Sequence, residues 1–267
     1  MDLIDDFAQR AKTYLADLNT HPVFPRQEAL DGLNKFDTPL QSEPADTAEV
    51  LALLDDVGSP ATVRSTGGRY YGFVTGGSLP AAMSAKLLAS VWDQNCGLTV
   101  QSPVSSYLEE IAGKWLIQLF GLPQQCGFGF VTGDTMANFA ALAAARHTLL
   151  KNAGWDVEAN GLFNSPEITV VVGEEVHVSV LKALSMLGFG RGRVIKIPVD
   201  EHGRMKADKI PSIDHAAIIC AQAGNVNTGS FDPIEEICAT RKNLNVWIHV
   251  DAAFGYGPQF RRKKNIL

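Results

Sequence analysis

The side chains with the greatest chemical reach in these 267 residues gather at a few places. Val246-Trp247-Ile248-His249-Val250-Asp251-Ala252-Ala253 is an apolar run that delivers one carboxylate and then turns to small residues. Read as a buried strand, it brings Asp251 to the carboxyl edge of a sheet, where open α/β folds bind ligands. A flat ring can approach across Ala252 and Ala253, and Asp251 can pair with a protonated ring nitrogen. Capping of the following turn is the plainer use of the same carboxylate. Thr132-Gly133-Asp134-Thr135-Met136-Ala137-Asn138 lies where a strand gives way to a helix. The unpaired N–H groups of a helix start favour phosphate. Gly133, Asp134, Thr135 and Asn138 are the candidates there, with Thr135 adding a hydroxyl. An ordinary N-cap made by Asp134 is the alternative, and its charge suits an anion site only if the side chain turns away.

His177 follows Val170-Val171-Val172-Gly173-Glu174-Glu175 at another strand-to-helix junction. A lone histidine is often structural, but this one shares a sheet edge with Thr135 and Asp251. A phosphate cradle, a flat side chain to stack and an anion for a ring nitrogen are together what pyridoxal 5′-phosphate requires. An opposite charge at hydrogen-bond range keeps the ring nitrogen protonated, and the ring can then accept electrons from a bond broken at the substrate's α-carbon. The polar turn from Ala221 to Asp232 offers Asn225 or Asn227 to the ring substituents, with simple turn chemistry as the alternative. Gly188-Phe189-Gly190-Arg191-Gly192 follows a helix and precedes a strand, the reverse of the dinucleotide fingerprint. Nicotinamide binding is thereby set aside.

The elements that must hold these groups are legible from periodicity. Residues 1–60 read as helices joined by Pro-containing links, with Leu3, Phe7, Ala11, Tyr14 and Leu15 on one face. They form an arm suited to packing on another subunit. Gly67–Ser78 is a Gly- and Tyr-rich loop of the kind that lines sites or interfaces. Residues 79–95 are helical, and Ser102-Pro103 opens a long helix that ends at Gly121-Leu122-Pro123. Strand and helix then alternate. Strands are expected at Phe128–Val131, Ile168–Val172, Val194–Val199, Ala217–Ala221 and Val246–Val250, with helices at Thr135–Lys151, His177–Leu187 and Pro233–Arg241. Such alternation predicts an α/β fold, a mainly parallel sheet flanked by helices on both faces.

Composition narrows the function classes. A net charge of −6 gives no reason to expect nucleic acid or an anionic membrane as partner. The acidic start lacks the features of a signal peptide, and no apolar run is long enough for a membrane helix. Cys96, Cys126, Cys220 and Cys238 are scattered, without metal-ligand spacing. A cytoplasmic protein with reduced cysteines and no bound metal is the expectation.

At these residues the chain resembles the group II pyridoxal-phosphate-dependent decarboxylases, the family of aromatic-amino-acid, glutamate and histidine decarboxylases. The matching features are the Gly133–Asn138 turn, His177-x-Ser179-x-x-Lys182-Ala183, Gly224…Gly229-Ser230-Phe231-Asp232 and His249-Val250-Asp251-Ala252-Ala253. They occur in family order, and the resemblance runs from about residue 20 to about residue 257. It implies a fold-type I homodimer with the N-terminal arm wrapping the partner, and an amino acid as substrate. It also implies that His177 stacks on the cofactor ring, Asp251 pairs with its nitrogen, Ala253 lies against its face and Thr135 takes the phosphate position. The Tyr70–Gly77 loop and the Trp92–Ser102 stretch match regions lining the substrate entrance. Asp134-Thr135-Met136 departs from the small-residue/Ser wording of better-known members, which puts the Asp134 backbone contact in question.

The resemblance further implies a lysine holding the cofactor as a Schiff base, in a His-Lys pair further along than Leu267. Lys263 and Lys264 sit in a basic run, 258–267, unlike the family. The expectation is a truncated N-terminal half: a 1–60 arm, a partial cofactor-binding domain at 61–257, and no small C-terminal domain. As such it is a carboxy-lyase by descent, inactive as this chain. A non-catalytic remnant serving as a binding or dimerisation module, and another fold-type I enzyme such as an aminotransferase or lyase, are the alternatives.

Overall fold

Among the described residues, four short runs of mostly apolar residues pair as a parallel sheet: β1 (Thr169–Gly173), β2 (Ile195–Ile197), β3 (Ala217–Gln222) and β4 (Val246–Asp251). This is a computed structural model of the chain, and it describes residues 2–73, 75, 77–240 and 245–255. The basic tail at 258–267, with Lys263 and Lys264, lies outside the described residues, as do Val74 and Gly76 of the Tyr70–Gly77 loop and Arg241. The strand order is β2-β1-β3-β4. The chain therefore moves outward from β1 to β2 and then returns across β1 to β3. That reversal is a topological switch point, and it opens a crevice at the carboxyl ends of β1 and β3.

The helices follow from their start and stop residues. In chain order they are α1 (Leu3–Ala16), α2 (Gln27–Gly32), α3 (Thr47–Gly58), α4 (Pro80–Trp92) and α5 (Pro103–Phe120). Then come α6 (Asp134–Asn152), α7 (Val157–Asn160), α8 (Val178–Met186) and α9 (Ile234–Thr240). The expected start of α5 is met: the Ser102 side chain accepts from the Ser105 N–H, and Gly121 closes the helix in the left-handed region at φ 66°. No helix among the described residues is long and apolar enough to cross a membrane.

Alternation along the strands divides the core in two. Val170, Val172, Ile218 and Cys220 face Leu142, Ala145 and Leu149 of α6 and Val180, Ala183 and Leu184 of α8. Val171, Ala217, Ile219 and Ala221 face Ile210, Ile213 and Ile237 on the opposite side. Helices on both faces explain why β1 and β3 are apolar at nearly every position.

Phe128–Val131, expected as a fifth strand, joins no ladder. Phe128 instead lays its ring on α5 at Gly113, leaving no room there for a Cβ, and meets Phe130 edge-on at 6.2 Å. Packing on the helix replaces pairing with the sheet.

The chain divides into two units, Met1–Asn95 and Cys96–Leu267. In the first, Asp2 and Asp46 cap α1 and α3 with their side chains. Arg10 of α1 bonds Asp55 and Asp56 of α3, each at 3.0 Å, which holds its guanidinium firmly protonated. Val57 is the one buried hydrophobic side chain of this unit among the described residues. The sheet and nearly all of the core belong to the second unit.

Cys220 supplies a check on the core. Burial, with the Asp251 charge adding to it, pushes its thiol up to about 12. The thiolate is the reactive form, so iodoacetamide at pH 8 is expected to label the exposed Cys238 and spare Cys220 in native protein. Peptide mapping before and after denaturation reads the difference, and native labelling of Cys220 would contradict this packing.

Candidate functional site

The crevice at the switch point is lined by Gly173, His177, Cys220, Gln222, Asp232 and Asp251, among others. Each comes from a strand end or from the turn that follows one. Asp251 is the last residue of β4, and His249, two residues earlier, points to the same face of the sheet. That face is the one covered by α6 and α8, so both side chains meet the first turns of those helices.

Asn138 is the hub. It lies one turn after Asp134 on α6 and is 3% exposed. Its Oδ1 accepts the His249 Nε2–H at 2.7 Å. Its Nδ2 reaches Asp134 Oδ2 at 3.1 Å, Ser179 Oγ at 3.1 Å and Asp251 Oδ2 at 3.3 Å. The other Asp251 oxygen, Oδ1, accepts the Ala253 N–H at 3.2 Å. The turn-capping role that the sequence offered for Asp251 is thus realised with one oxygen, while the second faces Asn138.

His177 is the N-cap of α8. Its Nδ1 accepts the Ser179 N–H at 3.3 Å and the Ser179 hydroxyl at 2.8 Å. Two donors on Nδ1 leave the neutral ring's proton on Nε2. They also fix the ring plane while the ring stays exposed. A continuous chain of hydrogen bonds therefore runs from His249 through Asn138 and Ser179 to His177. Burial holds the His249 imidazole below its ordinary value, against the opposing pull of the Asp251 and Asp134 charges.

At the phosphate-side candidates the N-cap alternative for Asp134 is not realised. The N-cap of α6 is Gly133, in extended backbone, with no side-chain capping bond, and Asp134 is the first helical residue. Asp134 therefore does not cap the helix. Its carboxylate bends back to Asn138 instead. That leaves the first N–H groups of a 19-residue helix, with the half-buried Thr135 beside them, at the sheet's carboxyl edge.

Asn225 lies elsewhere. Its Oδ1 accepts from Asn227 N and Thr228 N at 2.8 and 3.2 Å, and its Nδ2 donates to Glu175 Oε2 at 2.8 Å. The amide is engaged by its own turn and is not brought to Asp251 or Asn138. Gly224, at φ 100°, and Gly255 let the turns after β3 and β4 touch, because a Cβ at either would collide with the other turn. Asp232 braces the same corner, accepting Met205 N and Gln222 N at 2.7 Å each. Burial pushes its carboxyl up despite those two donors.

Sequence reasoning missed the roles of Ser179 and His249. The signals were present: Ser179 sits two residues past a capping position, and His249 shares the sheet face of Asp251.

The family model for the pyridoxal-dependent decarboxylase conserved domain matches residues 35–265. L-2,4-diaminobutyrate decarboxylase of Rhizobium meliloti (strain 1021) is 33% identical over 196 residues, covering 70% of this chain and 37% of that protein. A human acidic amino acid decarboxylase is 30% identical over 174 residues, covering 62% of this chain and 32% of that protein. The chain thus matches about a third of these relatives' length. Among solved structures, the glutamate decarboxylase domain of a Vibrio parahaemolyticus diaminobutyrate-pyruvate transaminase and L-2,4-diaminobutyrate decarboxylase superposes with TM-score 0.83. It is 19% identical and is covered to 62%, against 98% of this chain. Oryza sativa TDC, solved with PLP and tryptamine, superposes at 0.81 with 19% identity, covering 94% of this chain and 54% of that one.

Proposed function

We propose that this chain, which belongs to the pyridoxal-dependent decarboxylase family, seats pyridoxal 5′-phosphate in the crevice at the carboxyl ends of β1, β3 and β4. The reaction is loss of carbon dioxide from an amino acid to leave an amine. The observation that carries this reading is the Asp251 carboxylate, braced at the end of β4 beside a capping, exposed imidazole and an open helix start.

The residues fit the cofactor. When bound, pyridoxal phosphate supplies a protonated ring that takes up the electron pair left as carbon dioxide departs. Asp251 receives the ring N–H and keeps that nitrogen protonated. His177 lays its fixed ring on one face, and Ala253 leaves room for the other. The N–H groups after Gly133, at Asp134 and Thr135, and the Thr135 hydroxyl hold the phosphate, favoured by the α6 dipole. Asp134 serves through its backbone, since its carboxylate is drawn off by Asn138. Asn225 serves indirectly, by shaping the wall of the crevice through Glu175.

The protein is further proposed to act in the cytoplasm as a homodimer, with residues 1–60 as an arm against the partner and 61–257 contributing the cofactor domain. The scant core of the first unit supports this, as do the exposed Leu108, Trp115 and Leu119 along α5. Light scattering on eluted protein is expected to give twice the chain mass, and a monodisperse monomer would overturn the arrangement.

Titrating the purified chain with pyridoxal phosphate tests the site. Saturable quenching of Trp fluorescence with an absorbance change is expected. No described residue lining the crevice is a lysine, so the cofactor bound there is expected to dialyse away even after borohydride treatment. Absence of saturable binding would overturn the proposal. Without such a lysine, turnover by this chain is expected to be slow or absent, and whatever product forms reads the reaction class, since a keto acid in place of carbon dioxide and an amine would assign transamination.

A further inference from the structure

We infer that His249 is a positioning residue for Asp251, acting through the amide of Asn138; the inference rests on the cofactor reading above. His249 is 6% exposed and does not line the crevice. What it does touch is the carbonyl of Asn138, at 2.7 Å. An amide is planar, so fixing its oxygen fixes where its two N–H bonds point. They point at Asp134, Ser179 and Asp251, three acceptors served by two hydrogens.

The reversed amide would set Oδ1 against two carboxylates, and it would leave the His249 N–H facing an N–H₂ group. With His249 in place neither occurs. One Asp251 oxygen is then held by Asn138 and the other by the Ala253 N–H, so the carboxylate has little freedom to rotate about its Cβ–Cγ bond. A carboxylate aimed in this way is prepared for a single further donor, the ring N–H. Without the His249 donor, the buried Asn138 oxygen lacks its partner, the amide swings to find another, and Asp251 loses half of its support. The same swing frees Asp134 to turn toward the start of α6. His249 therefore sets the ring-nitrogen contact and, through one amide, protects the phosphate contact.

The test compares pyridoxal phosphate with 1-deazapyridoxal phosphate, in which a C–H replaces the ring nitrogen. The wild-type chain is expected to prefer pyridoxal phosphate by about tenfold or more, the scale of a charge-assisted hydrogen bond. His249→Phe is expected to reduce that preference to about twofold or less. His249→Gln, whose side-chain N–H₂ can still donate to Asn138, is expected to keep most of it. A histidine that merely filled space would weaken both ligands equally and leave the preference unchanged, which would overturn the inference. If His249→Phe fails to fold, Asn138→Ala replaces it, with the same collapse expected and an unchanged preference again counting against. A wild-type chain with no preference would instead overturn the Asp251 reading itself, a failure visible before any variant is made.

Discussion

Asp251→Ala is expected to weaken pyridoxal phosphate binding about 10- to 100-fold, the loss of one hydrogen bond between charged groups at about 1.5–3 kcal/mol. The substitution removes the acceptor for the ring N–H and also strands the Ala253 N–H and one Asn138 donor that the carboxylate now satisfies. Equilibrium dialysis or fluorescence titration measures it. The informative contrast is Asp134→Ala. Both carboxylates accept from the same Asn138 nitrogen, yet only Asp251 is assigned to the ring. Removing the Asp134 side chain leaves its backbone N–H in place and lowers the negative charge near the phosphate position. Affinity is therefore expected to hold or rise. Equal losses from the two variants would mean that the carboxylates act as a pair and would remove the distinction drawn between them.

Leu184→Ala is expected to cost about 2–5 kcal/mol of stability, the range for deleting a fully buried Leu side chain. Leu184 has no exposed surface and packs in the cluster that joins α6 and α8 to β1 and β3. At roughly 2–4 °C per kcal/mol for a body of about 150–250 residues, thermal unfolding should move down by at least several degrees. Met186→Ala, two residues on in α8 and 62% exposed, is expected to change stability by no more than about 0.5 kcal/mol. Similar losses at both positions would mean that α8 does not face the sheet as described. The consequence reaches function, because α8 carries the capping His177 and Ser179, so a loosened α8 also loosens the ring that is to stack on the cofactor.

The sequence by itself was enough to place most of the helices and strands of the second unit within a few residues, Phe128–Val131 and the short α7 excepted, together with the sheet edge that carries the proposed site. Apolar runs of β-branched residues separated by capped helices admit few other solutions, and Asp251, His177 and Thr135 each stand at a boundary that local chemistry marks. Family membership was legible for the same reason, since four short motifs stand in order at those boundaries. Only the tertiary structure decided which side chains meet. Asn138 and His249 are 111 residues apart in the chain, and Asn138 and Asp251 are 113 apart. No local pattern encodes a hydrogen bond across that separation. It exists because α6 and β4 pack face to face. The same packing drew the Asp134 carboxylate back from the helix start, kept Asn225 in its own turn and laid Phe128 on Gly113 in place of a fifth strand. In each case a polar group or ring settled on whatever the folded chain brings within reach, a neighbour on the same helix for Asp134, its own turn and Glu175 for Asn225, and α5 for Phe128.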